Sequence, residues 1–312
     1  MNTKLSINNI VDWTTTEDMV NNVKVDEVGV LDRVSSLATR SIKRESKLNA
    51  LQKIVSMCDL TTLEGEDTEG KIIQMSSKAI APDPNDESVP SAAAVCVYPA
   101  LVSTAKKTVK DSSVKVASVS SYFPSGQAPI ESKISDTKFA INEGADEIDI
   151  VINRKAFFEG DYKKVYEEIK SLKDVCGDIH LKTILEIGEL KTYENIKKAS
   201  VIALCAGSDF IKTSTGKISN GSSREACLVM ARTVREFQSY GNGMRGIKVA
   251  GGIRSSKDAI RYLVIINEEL GSSWLSPDYF RFGASSLLDD VLRQIKKLKT
   301  NAYQSSYYFP RG

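Results

Sequence analysis

DFIKTSTGK, residues Asp209–Lys217, is a short apolar strand pattern with a lysine inside it, followed at once by hydroxyls and a Gly-Lys pair. A charge within a strand is costly unless a partner or a reaction requires it. The run Thr213-Ser214-Thr215-Gly216-Lys217 is suited to holding an anion. Taken alone, the stretch reads more simply as a strand edge with a snorkelling lysine and a polar loop. Its surroundings decide otherwise.

Short apolar runs alternate with helical stretches on both sides of it. Strands are predicted at 57–62, 92–98, 114–120, 147–153, 180–187, 209–212, 246–250 and 279–283. Helices are predicted at 68–79, from 101, at 130–143, 162–176, 193–206 and 223–237, towards Leu270, and after Ser286. Ser222 with Glu225 and Ser255 with Asp258 have the spacing of reciprocal caps at helix starts. Strand–helix units in this number predict an α/β fold, a TIM (β/α)8 barrel with an N-terminal helical extension. A doubly wound sheet also alternates, but usually with fewer units and a glycine-rich first turn. No GxGxxG follows the first strand. The expected division is a partly helical extension over 1–52, the barrel over 53–300 and a mobile tail over 301–312. Within the extension, 30–50 is predicted helical, with Arg40, Lys43, Arg44 and Lys47 at helical spacing. A solvated helix face accounts for them better than a nucleic-acid or membrane contact.

Composition removes several function classes. Lys and Arg number 42 against 40 Asp and Glu, so no polyelectrolyte partner such as nucleic acid is expected. No apolar run is long enough to span a bilayer, and MNTKLSINNIVDW lacks the features of a secretory signal. No membrane partner and a cytoplasmic location are therefore expected. Five cysteines without CxxC spacing argue against a disulfide framework and a cysteine zinc site. The one histidine, His180, leaves no imidazole cluster to hold a metal. Catalysis, if present, falls to lysine or carboxylate.

Strand alternation sharpens this. Asp149 shares a face with Glu147 and Val151, Lys182 with Ile184 and Glu186, Lys212 with Phe210 and Ser214, and Lys248 with Gly246 and Ala250. Both faces of a barrel strand are covered, so these charges are buried and should be paired. A structural ion-pair network is one account of Asp149, Lys182, Lys212 and Lys248. Three lysines to one sure carboxylate weaken it, because surplus positive charge lowers the pKa of one amine. A free amine attacks a carbonyl, which points to Schiff-base chemistry with Asp149 carrying protons directly or through water. Separately, Thr215-Gly216-Lys217, Gly251-Gly252 and Gly283-Ala284-Ser285-Ser286 lie just beyond three consecutive strands. Each is an ordinary turn alone. Together they fit a phosphate site, although Ser214–Lys217 lacks the spacing of a Walker A loop.

At these residues the chain resembles the deoxyribose-phosphate aldolase family. The resemblance is carried by CDLTTL at 58–63, AAVCVYP at 93–99, GADEIDIV at 144–151, FIKTSTGK at 210–217, Lys248 with AGGIR at 250–254, and RFGASSL at 281–287. The leader, CVYPA and HLKTIL are closer to animal-type members. The resemblance implies a class I aldolase without metal or cofactor. It would reversibly cleave 2-deoxy-D-ribose 5-phosphate to D-glyceraldehyde 3-phosphate and acetaldehyde in deoxyribose and deoxynucleoside catabolism. By motif, Lys212 forms the Schiff base, Lys248 lowers its pKa, Asp149 relays protons through water, and Lys182 is its hydrogen-bonded partner. Asp59 and Thr61 match the sugar end and Cys96 the donor site. Thr215 lies in the matched FIKTSTGK loop; Gly216, Lys217, Gly251, Gly252, Gly283, Ser285 and Ser286 match the phosphate pocket. The expected partners are small phosphosugar and aldehyde substrates, with a homodimer possible.

Departures from the family pattern carry their own expectations. Val249 replaces a usual proline and is expected to loosen a loop near Lys248. Tyr122 is expected to narrow an entrance, and Ile218-Ser219-Asn220-Gly221 shifts a usual asparagine. Whether Tyr307 or Tyr308 assists proton transfer is open. Two other readings remain: a related aldolase with a different phosphorylated aldehyde, and a phosphosugar-binding barrel without turnover.

Overall fold

Eight short strands, each followed by helix, close into one parallel barrel in the order β1 to β8. The computed structural model describes residues 11–40, 42, 44–305 and 308–309, the side chain of Arg44 excepted. The strands are β1 Cys58–Thr61, β2 Ala94–Val97, β3 Lys115–Val119, β4 Glu147–Val151, β5 His180–Ile184, β6 Phe210–Lys212, β7 Gly246–Ala250 and β8 Phe280–Ala284. Three helices precede the barrel: α1 Trp13–Asn21, α2 Glu27–Ala38 and α3 Arg44–Ser56. Within it follow α4 Glu69–Ile80, α5 Val102–Val109, α6 Ile130–Asn142, α7 Arg154–Phe158, α8 Tyr162–Cys176, α9 Ile187–Leu190, α10 Tyr193–Cys205, α11 Arg224–Ser239, α12 Ser256–Leu270 and α13 Leu287–Thr300.

Period-two alternation builds the two layers. Ile148, Ile150, Ile211 and Ile247 join the apolar layer between strands and helices, while Asp149, Lys212 and Lys248 meet one another inside the barrel. Each fully buried aliphatic side chain in this layer contributes about 1.5–3 kcal/mol. The predicted strands were one to three residues too long at several ends; at β5 the predicted 180–187 runs past Ile184 into the left-handed turn at Glu186 and the first residue of α9. The short helices α7 and α9 were not predicted, because neither is long enough to show a helical period.

Side-chain caps set the helix starts. Thr68, Asp161, Thr192, Ser223 and Ser255 each accept a backbone N–H in the first turn of α4, α8, α10, α11 and α12. The cap of α11 is thus Ser223 and not Ser222, whose hydroxyl instead meets Gly251 O at 3.1 Å and the Tyr262 hydroxyl at 3.0 Å. The expected Ser255–Asp258 pairing is present, with the hydroxyl on the Asp258 carboxylate at 2.6 Å.

The extension is more helical than expected and packs on the outside of the ring, α1 against α8 and α10, α2 against α11 and α12, and α3 against α12 and α13. The single predicted helix over 30–50 is two helices, α2 and α3, and α3 runs unbroken across residue 52. Arg40, read as part of a basic face, is paired with Glu268 at 2.7 Å, and Arg33 with Glu269 at 2.9 Å. Lys43 and the Arg44 side chain lie outside the described residues. In the tail, Phe309 is buried and Tyr308 exposed. No helix among the described residues is long and apolar enough to cross a membrane.

Candidate active site

Three interior lysines foreseen from alternation meet around the fourth foreseen charge, the Asp149 carboxylate. Asp149 and Lys182 are direct partners in the β4–β5 register, as are Lys212 and Lys248 across β6–β7. Asp149 Oδ1 accepts Lys182 Nζ at 2.9 Å, and its Oδ2 accepts Lys212 Nζ at 2.8 Å and Lys248 Nζ at 2.9 Å. All four side chains are essentially buried. Gly246, two residues before Lys248 on β7, makes room for the Phe210 ring beneath the cluster. A Cβ there would lie 2.2 Å from Cε1 of Phe210, the residue two positions before Lys212.

The charge balance differs from the expected three lysines to one carboxylate. Three interior carboxylates, Asp59, Glu147 and Asp149, face four cations, because Arg281 on β8 is buried among them. Lys182 Nζ lies 2.6 Å from Glu147 and Lys248 Nζ 2.6 Å from Asp59. The Arg281 guanidinium spans Asp59 at 2.7 Å and Glu147 at 2.8 Å. Glu147 and Arg281 were not among the predicted site residues. The signal for Glu147 was its place two residues from Asp149 on the same face. Arg281 carried the same signal two residues before Gly283.

These contacts sort the three lysines. Burial lowers the Lys212 pKa, and the neighbouring Lys248 charge lowers it further against the opposing Asp149 carboxylate. Burial therefore comes first, and Lys248, foreseen as the cause, second. Burial acts on Lys248 and Lys182 as well, but Asp149 with Asp59, and Asp149 with Glu147, outweigh it and hold both above the ordinary lysine value. Asp149 is likewise desolvated, yet three lysines keep it well below the usual carboxylate range. Lys212 is the one lysine of the three whose protonated form is disfavoured.

Above this cluster opens a cleft of about 220 Å³ at the C-terminal ends of the strands, the catalytic end of this architecture. Thr61, Lys212, Thr215, Gly216, Lys217, Gly251, Gly252, Gly283, Ser285 and Ser286 all line it. Loops after β6, β7 and β8 are thereby brought to one wall. Their approach is close: Ser222 N–H donates to Gly251 O at 3.0 Å, and Gly251 has φ +89°, where a side chain would be strained. Ser286 caps α13 without a side-chain hydrogen bond, leaving the helix N-terminus open towards the cleft. Lys217 Nζ lies 2.9 Å from Glu64 at the mouth, and exposed Arg254, absent from the predicted site list, adds a second cation.

Other predicted residues sit elsewhere. Asp59 does not line the cleft; it lies beneath, fully buried between Lys248 and Arg281. Cys96 is buried on β2 with Leu63, Ala117 and Val119, and burial raises its thiol pKa. Val249 is a buried residue inside β7 and not part of a loop, so its side chain packs in the outer apolar layer. Tyr122 is half-exposed and lines a groove with Tyr98 and Phe123; it is not among the residues that line the cleft. Tyr307 lies outside the described residues. His180 sits partly buried against the Phe210 ring at the opposite strand ends.

Comparison with known proteins agrees with this geometry. Residues 53–292 match the family described as DeoC/LacD family aldolase. The human protein named deoxyribose-phosphate aldolase is 41% identical over 93% of this chain and 95% of its own length. The bovine protein of the same name matches with the same identity and coverage. A solved structure from Coccidioides immitis, provisionally named for that activity, is 25% identical with a TM-score of 0.68, covering 87% of this chain and 98% of its own. The chain belongs to the DeoC/LacD family of aldolases.

Proposed function

We propose that the protein is a class I aldolase that reversibly cleaves 2-deoxy-D-ribose 5-phosphate into D-glyceraldehyde 3-phosphate and acetaldehyde through a Schiff base on Lys212. One observation carries the reading: Lys212 is the interior lysine with a lowered pKa, and it alone of the three lines the open cleft. The human relative's name indicates the substrate.

In the proposed sequence the free Lys212 amine adds to C1 of the open-chain sugar, and loss of water gives an iminium. Asp149, through a water, takes the proton from the C3 hydroxyl. The C2–C3 bond then breaks, and its electron pair flows into the iminium to give a neutral enamine. Glyceraldehyde 3-phosphate leaves with the C3 carbonyl formed. Protonation of the enamine at C2 and hydrolysis of the iminium release acetaldehyde and restore the amine. Burial lowers the Lys212 pKa, and Lys248, held charged by Asp59 and Asp149, lowers it further. Lys182 fixes the other Asp149 oxygen. The phosphate is assigned to Gly216, Lys217, Gly251, Gly252, Gly283, Ser285 and Ser286, whose backbone amides, hydroxyls and α13 N-terminus suit an anion.

In this reading residues 53–300 are the catalytic barrel, 1–52 an N-terminal extension and 301–312 a C-terminal tail, with cytoplasmic deoxyribose catabolism as the setting. Borohydride reduction in the presence of acetaldehyde tests the mechanism. The expected result is a two-carbon adduct on Lys212 by peptide mass spectrometry; an unmodified Lys212, or an adduct on another lysine, rejects it.

A further inference from the structure

Glu186, between β5 and α9, is buried and has a left-handed backbone (φ +59°), which residues other than glycine seldom adopt. The turn grips one stretch of the neighbouring chain at three successive points. Leu185 N–H donates to Lys212 O at 2.9 Å, and Ile187 N–H donates to Thr213 O at 3.0 Å. The Glu186 carboxylate then accepts the Thr215 hydroxyl at 2.5 Å and the Thr215 N–H at 3.3 Å. Donors two residues apart thus reach adjacent carbonyls, as in a bulge, and the turn re-aims the side chain between them. Arg154, 3.5 Å away, supplies the cation that lets the carboxylate stay buried. With its hydrogen given to Glu186, Thr215 Oγ1 accepts Lys217 N–H at 3.1 Å, so the loop is shaped from within.

We propose that Glu186 is a positioning residue that fixes the loop Thr215–Lys217 at a set distance from Lys212. The reacting carbon and the phosphate occupy the two ends of that span, so the clamp selects short phosphorylated aldehydes whose two ends fit it together. The proposal rests on the reading of Lys212 as the Schiff-base residue and of Thr215–Lys217 as part of the phosphate site.

The test is steady-state cleavage of 2-deoxyribose 5-phosphate and of unphosphorylated 2-deoxyribose by wild-type, Glu186→Ala and Glu186→Gln protein. In Glu186→Ala the ratio of kcat/KM for the phosphorylated over the unphosphorylated sugar should fall about 10-fold or more, through KM for the phosphorylated sugar. Glu186→Gln keeps an acceptor oxygen for Thr215 and should recover much of the ratio. An unchanged ratio, or a fall confined to kcat, overturns the proposal, since a merely structural residue would depress both substrates alike. If Glu186→Ala does not fold, Thr215→Val removes the hydroxyl bridge with the Glu186 turn intact, and an unchanged ratio there is equally decisive. Borohydride trapping of acetaldehyde separates the two layers. No Lys212 adduct in the wild type removes the underlying reading; a normal adduct with an unchanged ratio removes only the Glu186 proposal.

Discussion

Lys212 and Lys248 donate to the same oxygen, Oδ2 of Asp149, at 2.8 and 2.9 Å. Lys248 alone of the two has a second carboxylate, Asp59, at 2.6 Å. This asymmetry divides the pair into a held cation and an amine that burial presses towards its neutral form. Neighbouring lysines on adjacent strands would otherwise be interchangeable.

The division predicts a pH signature. Lys212 must be unprotonated to attack, so activity rises as pH rises through its lowered pKa. Lys248→Met removes a cation and leaves Asp149 Oδ2 to Lys212 alone; both changes raise the Lys212 pKa. The acid limb of kcat/KM should move to higher pH, with activity at neutral pH down by roughly 10²-fold. A pH–rate profile with its acid limb in the wild-type position contradicts the assignment.

Asp149→Asn keeps the shape of the side chain and removes the proton carrier. Cleavage kcat should fall roughly 10²- to 10⁴-fold. Trapping of acetaldehyde on Lys212 should survive, though altered in rate, because it needs no C–C bond cleavage. Comparing turnover with adduct formation checks this; near-normal turnover rules Asp149 out as the proton carrier.

Arg281→Met should destabilise the barrel by about 3–5 kcal/mol in urea unfolding, because it strips a fully buried cation from two carboxylates. Asp59 and Glu147 are desolvated, yet Lys248 with Arg281, and Lys182 with Arg281, hold both below the ordinary carboxylate value. A lowered folded-state pKa means the unfolded chain binds more protons. This stability is therefore full above the ordinary carboxylate pKa of about 4 and is lost as pH falls through the lowered values. Without Arg281 those values rise, so acid unfolding should begin at a higher pH than in the wild type. Coincident acid-unfolding curves exclude this role.

Gly246→Ala places a Cβ 2.2 Å from Phe210 Cε1 and should cost about 1–3 kcal/mol through overpacking. Phe210→Leu in the same chain shortens the clashing ring and should recover part of the loss. Thermal melts of the two single variants and the double variant measure the coupling, and strictly additive effects refute the contact.

The barrel was legible because eight apolar runs alternate with helical periods, and period two within the runs already put Asp149, Lys182, Lys212 and Lys248 on common faces. The cleft loops were legible as glycine and hydroxyl clusters beyond strand ends, and all lie on one wall. Glu147 and Arg281 escaped because alternation says which face a charge occupies, not which charge it meets across the barrel. Ser223 displaced Ser222 as the α11 cap since capping spacing tolerates a shift of one residue. Val249 lies inside the strand predicted at 246–250, which β7 matches, so the loop effect expected from its replacing a proline has no loop to act on. Glu186 carried no local mark of its left-handed turn.

By itself, then, the sequence determined the fold class and the interior place of Asp149, Lys182, Lys212 and Lys248, because both follow from local periodicity and the cost of burying an ion. Only closure of the barrel decided how DFIKTSTGK is used. It set Lys212 beside Lys248 and under a single carboxylate oxygen, gave Lys248 a second partner in Asp59, and turned Glu186 onto Thr215. Which amine has its pKa lowered and where the loop sits depend on distances between strands far apart in the chain, and such distances exist only in the closed barrel.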